Sequence, residues 1–307
     1  MPTALLKRFF NTFLMVCLLI LLAGCSALPL GRSFTIPPLE TPAGMISAEQ
    51  ILADFKPDDP LAVSDELRAF LDNAVPKNLS RNDRVVSLYN ALRSPGLLAV
   101  EYDRDANYTA QQAFADGRAN CMGFSNLFVA SARAIGLRPR FQLVDQGPQW
   151  SQRGGYVEKA LHINVVVPVP GQRYVVDISP RPVAGNPRVI RDRQALALFY
   201  NNNGSSALVA DDRQRAYLNF VAALKQAPDL EMLWVNLGVL FRHNGQIDQA
   251  IAVYQWALML NPNYHSAHHN LSVIYQSRGD IAAANYHRMQ VTRYQQRIEA
   301  ELKMSTD

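Results

Sequence analysis

The sequence of 307 residues has few cysteines and no long run of charge of either sign. Its 3 cysteines are too few for a disulfide-stabilised framework, which excludes that class of secreted scaffold. The 30 basic and 26 acidic residues leave a formal net charge of +4. Because no basic cluster is long enough for a nucleic-acid footprint, we expect no nucleic-acid partner. With 18 prolines, 16 glycines and 49% hydrophobic residues, the composition excludes a collagen-like or disordered chain and suits two modest domains.

The N-terminal residues have the pattern of an export leader. Two basic residues precede an apolar run over residues 9–22, which is shorter than the about 20 residues of a membrane-spanning helix and suits a signal peptide. The run ends in Leu22-Ala23-Gly24-Cys25, and these residues resemble the lipobox of bacterial lipoproteins. The resemblance implies removal of residues 1–24 and lipid attachment at Cys25. With Ser26 as the next residue, it also implies an outer-membrane location facing the periplasm. The alternative is an uncleaved anchor helix.

The remaining chain divides into three parts. Residues 25–44 contain four prolines and little periodicity, which predicts an extended tether. Residues 45–188 predict an α+β domain in which helices precede a small, mainly antiparallel sheet. Residues 189–303 predict helices only. In the α+β domain we expect a helix over 121–135 that ends at Gly136, followed by strands over 141–144, 160–167 and 174–178.

The C-terminal part contains an internal repeat of 34 residues. Its central copy carries small and large residues in a fixed order: Trp234, Leu237, Gly238, Phe241, Gly245, Ala250, Tyr254, Ala257 and Pro262. A shift of +34 gives a second copy that reaches Ala284, and a shift of −34 gives a partial copy from Gly204 to Pro228. This pattern resembles the tetratricopeptide repeat (TPR), an all-α solenoid of paired helices. The resemblance implies a groove for a peptide or protein partner. The alternative is an unrelated amphipathic hairpin.

A single thiol and a single imidazole stand out in the α+β part. Between residues 26 and 190 the chain has one cysteine, Cys121, and one histidine, His162. Cys121 begins a predicted helix, where free N–H groups and the helix dipole favour a thiolate. A nucleophilic thiol needs a base, and the base needs a third group to orient it. One Cys, one His and one Asp are too few ligands for zinc, so we expect no metal and no cofactor.

Hairpin geometry predicts the third group. The turn Pro168-Val169-Pro170-Gly171 separates two predicted strands, and a symmetric loop there pairs Val167 with Gln172. That register places His162 opposite Asp177, on one face of the sheet, with Cβ atoms about 4.5–5.5 Å apart. A slip of one residue would move Asp177 to the other face. The sequence therefore predicts a His162–Asp177 pair.

The same segments resemble the transglutaminase-like fold. Gly117-Arg118-Ala119-Asn120-Cys121 resembles its nucleophile helix, and the segments around His162 and Asp177 resemble its histidine and aspartate strands. The resemblance covers about residues 80–180. It implies a papain-like site with Cys121 as nucleophile, His162 as general base and acid, and Asp177 as orienting group. Asn120 departs from the usual glycine or aromatic residue before the cysteine. The candidates for an oxyanion donor beside the Cys121 N–H are Gln111 and Gln112.

These patterns lead to two hypotheses. The first is a membrane-anchored thiol enzyme, a cysteine protease, amidase or acyltransferase, whose TPR repeats bind a peptide or protein substrate or partner. The second is a catalytically silent lipoprotein adaptor that works through its repeats. The second requires Cys121 to be an inert buried thiol, His162 a structural histidine and Asp177 a surface or turn-anchoring carboxylate.

Overall fold

The computed structural model describes residues 34–153, 156–179 and 185–306. The predicted signal peptide and Cys25 lie outside these residues. Among the described helices, none combines the length and the apolar character needed to cross a membrane.

Part of the predicted tether is folded against the helical repeats. Strands β1 (Leu39–Thr41) and β2 (Gly44–Ile46) form an antiparallel hairpin, and Leu39 is fully buried. The Tyr217 hydroxyl donates a hydrogen bond to the Pro37 carbonyl at 2.8 Å, and the Gln246 side-chain amide donates to the Pro38 carbonyl at 3.0 Å. The structure differs from an extended tether over residues 36–44, because these bonds and buried Leu39 hold the segment in place.

Among the residues that the structure describes, five helices form the first part of the fold. They are α1 (Ala48–Leu52), α2 (Asp65–Ala74), α3 (Arg81–Arg93), α4 (Ala110–Asp116) and α5 (Cys121–Ala134). Each begins after a polar residue whose side chain accepts a hydrogen bond from the first turn: Ser47, Ser64, Ser80, Thr109 and Asn120. The predicted helix over 121–135 is confirmed to within one residue. It ends before Gly136, whose φ of +79° suits a residue without a Cβ atom.

A four-stranded antiparallel sheet covers one side of α5. Its strands are β5 (Arg140–Arg153), β6 (Tyr156–Val169), β7 (Gln172–Val176) and β8 (Asn186–Val189), in the order β7-β6-β5-β8. A separate parallel pair, β3 (Glu101–Tyr102) and β4 (Arg118–Ala119), leads directly into α5. The α+β class and the mainly antiparallel sheet agree with the sequence prediction. The sequence analysis missed β8, an edge strand whose residues are all exposed and therefore lack the apolar alternation of a half-buried strand.

The hairpin between β6 and β7 has a different register from the predicted one. Val169 pairs with Gln172 and Val167 pairs with Tyr174, so the loop is the two residues Pro170 and Gly171. Gly171 has a φ of +81°, as the third position of a type II turn requires after a proline. The predicted pairing of Val167 with Gln172 is therefore wrong by two residues. Because side chains alternate with a period of two, a two-residue error leaves each one on its predicted face.

Six helices form the C-terminal part as three consecutive pairs. They are α6 (Asp192–Val209), α7 (Arg213–Gln226), α8 (Glu231–His243), α9 (Ile247–Leu260), α10 (His265–Ser277) and α11 (Ile281–Thr306). The pairs start 34 residues apart at α8 and α10, as the internal repeat predicts. Aromatic rings fill the space between paired helices, and Phe220, Phe241 and Tyr254 are each almost fully buried.

Candidate active site

Cys121 occupies the first position of α5, where the helix reaches the surface. The side chain of Asn120 caps this helix by accepting a hydrogen bond from the Gly123 N–H at 2.9 Å. The α5 residues from Met122 to Ala132 are buried, whereas Cys121 is partly exposed. The first N–H groups of a helix have no intrahelical partner and carry partial positive charge. The thiol therefore lies at a site that favours negative charge and is open to solvent.

Gly123 allows the chain before β4 to contact the first turn of α5. A Cβ atom at this position would lie 2.9 Å from the Ala106 carbonyl oxygen and 3.1 Å from the Tyr108 nitrogen. Both neighbours are backbone atoms, so no side-chain rotation could relieve the contact. Sequence reasoning missed this role, although a glycine in the first turn of a buried helix is a recognisable departure from helix propensity.

A cluster of asparagines connects this helix start to the first helix of the repeats. Asn120 donates a long hydrogen bond to the Asn107 side-chain oxygen, with 3.5 Å between the heavy atoms. Asn107 in turn donates to the Asn203 side-chain oxygen at 2.8 Å and to the Phe199 carbonyl at 3.0 Å. Asn120 therefore has a structural reason to stand before the cysteine: it caps α5 and contacts the residue that binds α6.

The structure brings His162 and Asp177 together. The His162 Nε2 and Asp177 Oδ2 atoms are 2.6 Å apart, and each side chain is 13% exposed. Asp177 also accepts hydrogen bonds from the Ser179 N–H at 2.9 Å and from the Asn164 amide at 3.4 Å. The residue opposite Asp177 in the extended register is Asn164, so His162 is its diagonal neighbour on the same face. Asn164 was not identified from the sequence.

Cys121 lies close enough to this pair for its thiol and its charge to act on the His162 ring. Burial, the largest influence on the imidazole, lowers its pKa. The hydrogen bonds to Asp177 and Cys121, together with the charges of those two groups, outweigh burial and raise the pKa of His162 to about 9. Since Nε2 faces Asp177, Nδ1 is the ring nitrogen left for the sulfur. At neutral pH the raised pKa keeps the His162 ring protonated beside the sulfur.

The two glutamines are not joined to this chain. The Gln112 side-chain oxygen accepts a hydrogen bond from the Thr109 N–H at 2.9 Å, which completes a capping box at the start of α4. Gln111 is exposed on the same helix. Within the described residues, neither amide forms a hydrogen bond to Cys121 or His162. The role of the two glutamines as oxyanion donors therefore stays a prediction.

Tyr102 is a neighbour of the thiol that sequence reasoning missed. It pairs with Ala119 across the short β3–β4 ladder and is 58% exposed. Burial of part of its ring, followed by the charge of Cys121, raises the pKa of the phenol. Tyr102 therefore places an exposed aromatic ring near the Cys121 sulfur. Across the described ranges, no three His, Cys, Asp or Glu side chains are grouped so that they could hold a metal ion.

Comparison with known families supports both halves of the architecture. Residues 68–176 match the family model of the transglutaminase-like superfamily, and residues 232–264 match that of the tetratricopeptide repeat. The protein thus has a transglutaminase-like domain with small antiparallel sheets, followed by a helical TPR region. The first match makes cysteine-based chemistry possible for the α+β domain, and the second indicates protein binding in general for the helices. The matched range contains Cys121 and His162 and ends one residue before Asp177.

Curated relatives match only short stretches of the chain. Photosystem I assembly protein Ycf3 of Prochlorococcus marinus (strain MIT 9303) is 34% identical over 96 residues, which are 30% of this chain and 56% of that protein. Ycf3 of Rippkaea orientalis is 32% identical over 89 residues, or 28% of this chain and 51% of the relative. The peroxisomal targeting signal receptor of Candida glabrata is 33% identical over 90 residues, which are 29% of this chain and 14% of that protein. The chain spans about half the length of the Ycf3 relatives.

Proposed function

We propose that the α+β domain is a thiol enzyme that acts on amide bonds of a peptide or protein, by hydrolysis or by acyl transfer. The observation that carries this proposal is the His162–Asp177 pair, joined at 2.6 Å and placed beside Cys121 at the start of α5. The raised pKa of His162, about 9, supplies a proton donor at neutral pH beside the sulfur. A buried inert thiol would not need a charged neighbour of this kind.

The geometry suits a two-step reaction. The Cys121 thiolate attacks the amide carbonyl carbon, and the Cys121 N–H at the helix start stabilises the oxyanion. His162 then donates its Nδ1 proton to the leaving nitrogen as the C–N bond breaks, which leaves a thioester. Water or a primary amine next attacks the thioester carbon and gives its proton to neutral His162. The C–S bond breaks, and the thiolate and imidazolium are restored. Asp177 holds the imidazole in one orientation throughout.

Acylation by an activated ester tests this proposal without knowledge of the substrate. We expect p-nitrophenyl acetate to release one equivalent of nitrophenol in a burst and to acetylate Cys121, followed by slower turnover. Peptide mapping by mass spectrometry identifies the acylated residue, and an added primary amine that becomes acetylated distinguishes transfer from hydrolysis. Cys121→Ala should show neither burst nor turnover. Folded wild-type protein that is not acylated at Cys121 would refute the enzyme and favour the adaptor.

The adaptor is the second candidate, and the repeat region favours it. The TPR match covers a complete helix pair whose core is closely packed around Tyr254. The names of the relatives describe an assembly protein and a targeting signal receptor. In this function the α+β domain would be silent. In the enzyme, the same repeats would bind the substrate or a partner.

Membrane attachment through Cys25 is a separate part of the proposal, with the protein on the outer membrane and facing the periplasm. Its support is the charged and apolar leader that ends in Leu22-Ala23-Gly24-Cys25. We expect the wild-type protein, expressed in a bacterium that acylates lipoproteins, to enter the detergent phase on Triton X-114 partition. If the leader of Cys25→Ala is still cleaved, this variant should enter the aqueous phase. If the leader is not cleaved, the measured mass of the variant should include residues 1–24. Wild-type protein that retains residues 1–24 would be anchored by its leader instead.

A further inference from the structure

The first two repeats share one packing contact between their paired helices. In the first repeat the ring of Phe220 lies on Gly204, where a Cβ atom would approach the ring to 2.6 Å. In the second, the ring of Tyr254 lies on Gly238, where a Cβ atom would approach to 2.4 Å. Both pairs are related by the 34-residue repeat. An aromatic ring seated on a glycine therefore closes the space between the helices of each repeat.

The third repeat replaces both members of this contact. Ser272 stands at the glycine position and Arg288 at the ring position. Without a ring to fill the space, a cleft of about 440 Å³ opens between α10 and α11. Its lining includes His269, Ser272, Val273, Gln276, Arg288 and Val291. We call this space the α10–α11 cleft.

Arg288 places a positive charge at the wall of the α10–α11 cleft, and no carboxylate among the described side chains forms an ion pair with it. Its guanidinium donates to the Gln276 and Asn285 side-chain oxygens, each at 3.0 Å, and both partners are neutral. No Asp or Glu is among the residues that line the cleft. Between residues 265 and 297 the chain has four arginines and one aspartate. The guanidinium therefore attracts an anion without competition from a carboxylate of the cleft itself.

Arg242 of α8 adds a second cation on the side of His269. Burial is the larger cause and the charge of Arg242 the smaller cause of a lowered pKa at His269, which lines the cleft. A polar surface is normal at the end of a repeat array, where no further repeat covers the last helix. The cleft differs from such a surface because Val273 and Val291 line it, and Val273 is 43% exposed. It combines a cation with apolar walls.

We infer that the α10–α11 cleft binds an acidic segment of a partner protein, with a carboxylate on Arg288 and an aliphatic side chain against Val273 and Val291. This inference rests on the protein-binding part of the proposed function and is independent of the thiol chemistry. A carboxylate matches the planar guanidinium, which can donate two parallel hydrogen bonds to it. The volume of the cleft admits side chains and excludes a folded domain.

Two fluorescent peptides test the inference on the full chain in detergent. One alternates leucine and glutamate over eight residues, and the other replaces each glutamate with glutamine. By fluorescence anisotropy we expect the glutamate peptide to bind about tenfold more tightly, with a preference that weakens as salt screens the charges. Arg288→Gln should abolish the preference. Arg293→Gln removes an exposed charge from the same helix outside the cleft lining and should retain it.

A double variant separates loss of the site from loss of the fold. Ser272→Gly with Arg288→Tyr restores the contact of the first two repeats, so it should raise Tm by about 2 °C and still abolish the preference. Alkylation of Cys121 should be unchanged in every one of these variants, which separates this inference from the enzyme proposal. Equal affinity for the two peptides, no binding of the glutamate peptide at about 1 mM, or a preference that survives Arg288→Gln would overturn it.

Discussion

Iodoacetamide at pH 6 should alkylate Cys121 about 100-fold faster in the wild-type protein than in His162→Ala. An isolated thiol has a pKa of about 8.5, so only about 0.3% of it is thiolate at pH 6. In the wild-type protein the pKa of His162 is raised to about 9, so at pH 6 its ring is an imidazolium whose positive charge lies beside the sulfur that reacts. Removal of the imidazole returns Cys121 to the behaviour of an isolated thiol with only the helix dipole to assist it.

The rate of Cys121 alkylation should depend on pH in a direction set by the protonation of His162. The pKa of His162 is raised above its usual 6.5. The stabilisation that the protonated ring gives is therefore complete below about pH 6.5 and is lost as the pH rises through 9. We expect the alkylation rate of the wild-type protein to rise less steeply from pH 6 to 8 than that of His162→Ala. In His162→Ala the rate should rise about tenfold per pH unit over the same range.

The controls for this experiment come from the partners of His162. Asp177→Asn removes the charge that lies 2.6 Å from the ring and should slow alkylation at pH 6 substantially. Asn164→Ala removes only a 3.4 Å hydrogen bond to Asp177 and should slow it less. Mass spectrometry of the alkylated peptide measures each rate, and circular dichroism verifies that each variant is folded. Equal rates at pH 6 for folded wild-type protein and His162→Ala would contradict the ion pair.

Gly238→Ala should lower the free energy of unfolding by about 2 kcal/mol. The added Cβ atom would lie 2.4 Å from the Tyr254 ring, and that ring is fully buried and cannot move away. Replacement of a helical glycine by alanine normally stabilises a helix by about 1 kcal/mol. The steric cost exceeds this gain, because tightly packed cores yield little to an added methyl group. Thermal or urea denaturation monitored by circular dichroism measures the change.

Ser272→Ala is the matched control in the third repeat. A Cβ atom is already present there, and the substitution removes only the hydrogen bond from the Ser272 hydroxyl to the His269 carbonyl at 2.7 Å. The expected change is below about 1 kcal/mol. If Gly238→Ala is as stable as the wild-type protein, the ring of Tyr254 can move away from position 238. The contact between Gly238 and Tyr254 would then not require a glycine.

The repeats and the start of α5 could be predicted because their causes are local. A 34-residue unit packs against its neighbours, so Gly238 and Tyr254 lie close in the chain as well as in space. Asn120 caps α5 through an N–H only three residues away. The His162–Asp177 pair could be predicted because a hairpin joins its strands. Its register was wrong by two residues, and the alternation of side chains kept both groups on one face.

The sequence alone therefore determined the order of the two folded parts, the repeat and the three polar residues of the candidate site. Only the tertiary structure decided how these parts fit together. Asn107 forms a hydrogen bond to Asn203, 96 positions further along the chain. The Ala106 backbone packs against Gly123. The absence of an aromatic ring at Arg288 leaves a cleft only because α10 and α11 pack as a pair. Each of these depends on the distance between segments that no local pattern encodes, since propensity and periodicity describe neighbours along the chain and not contacts across it.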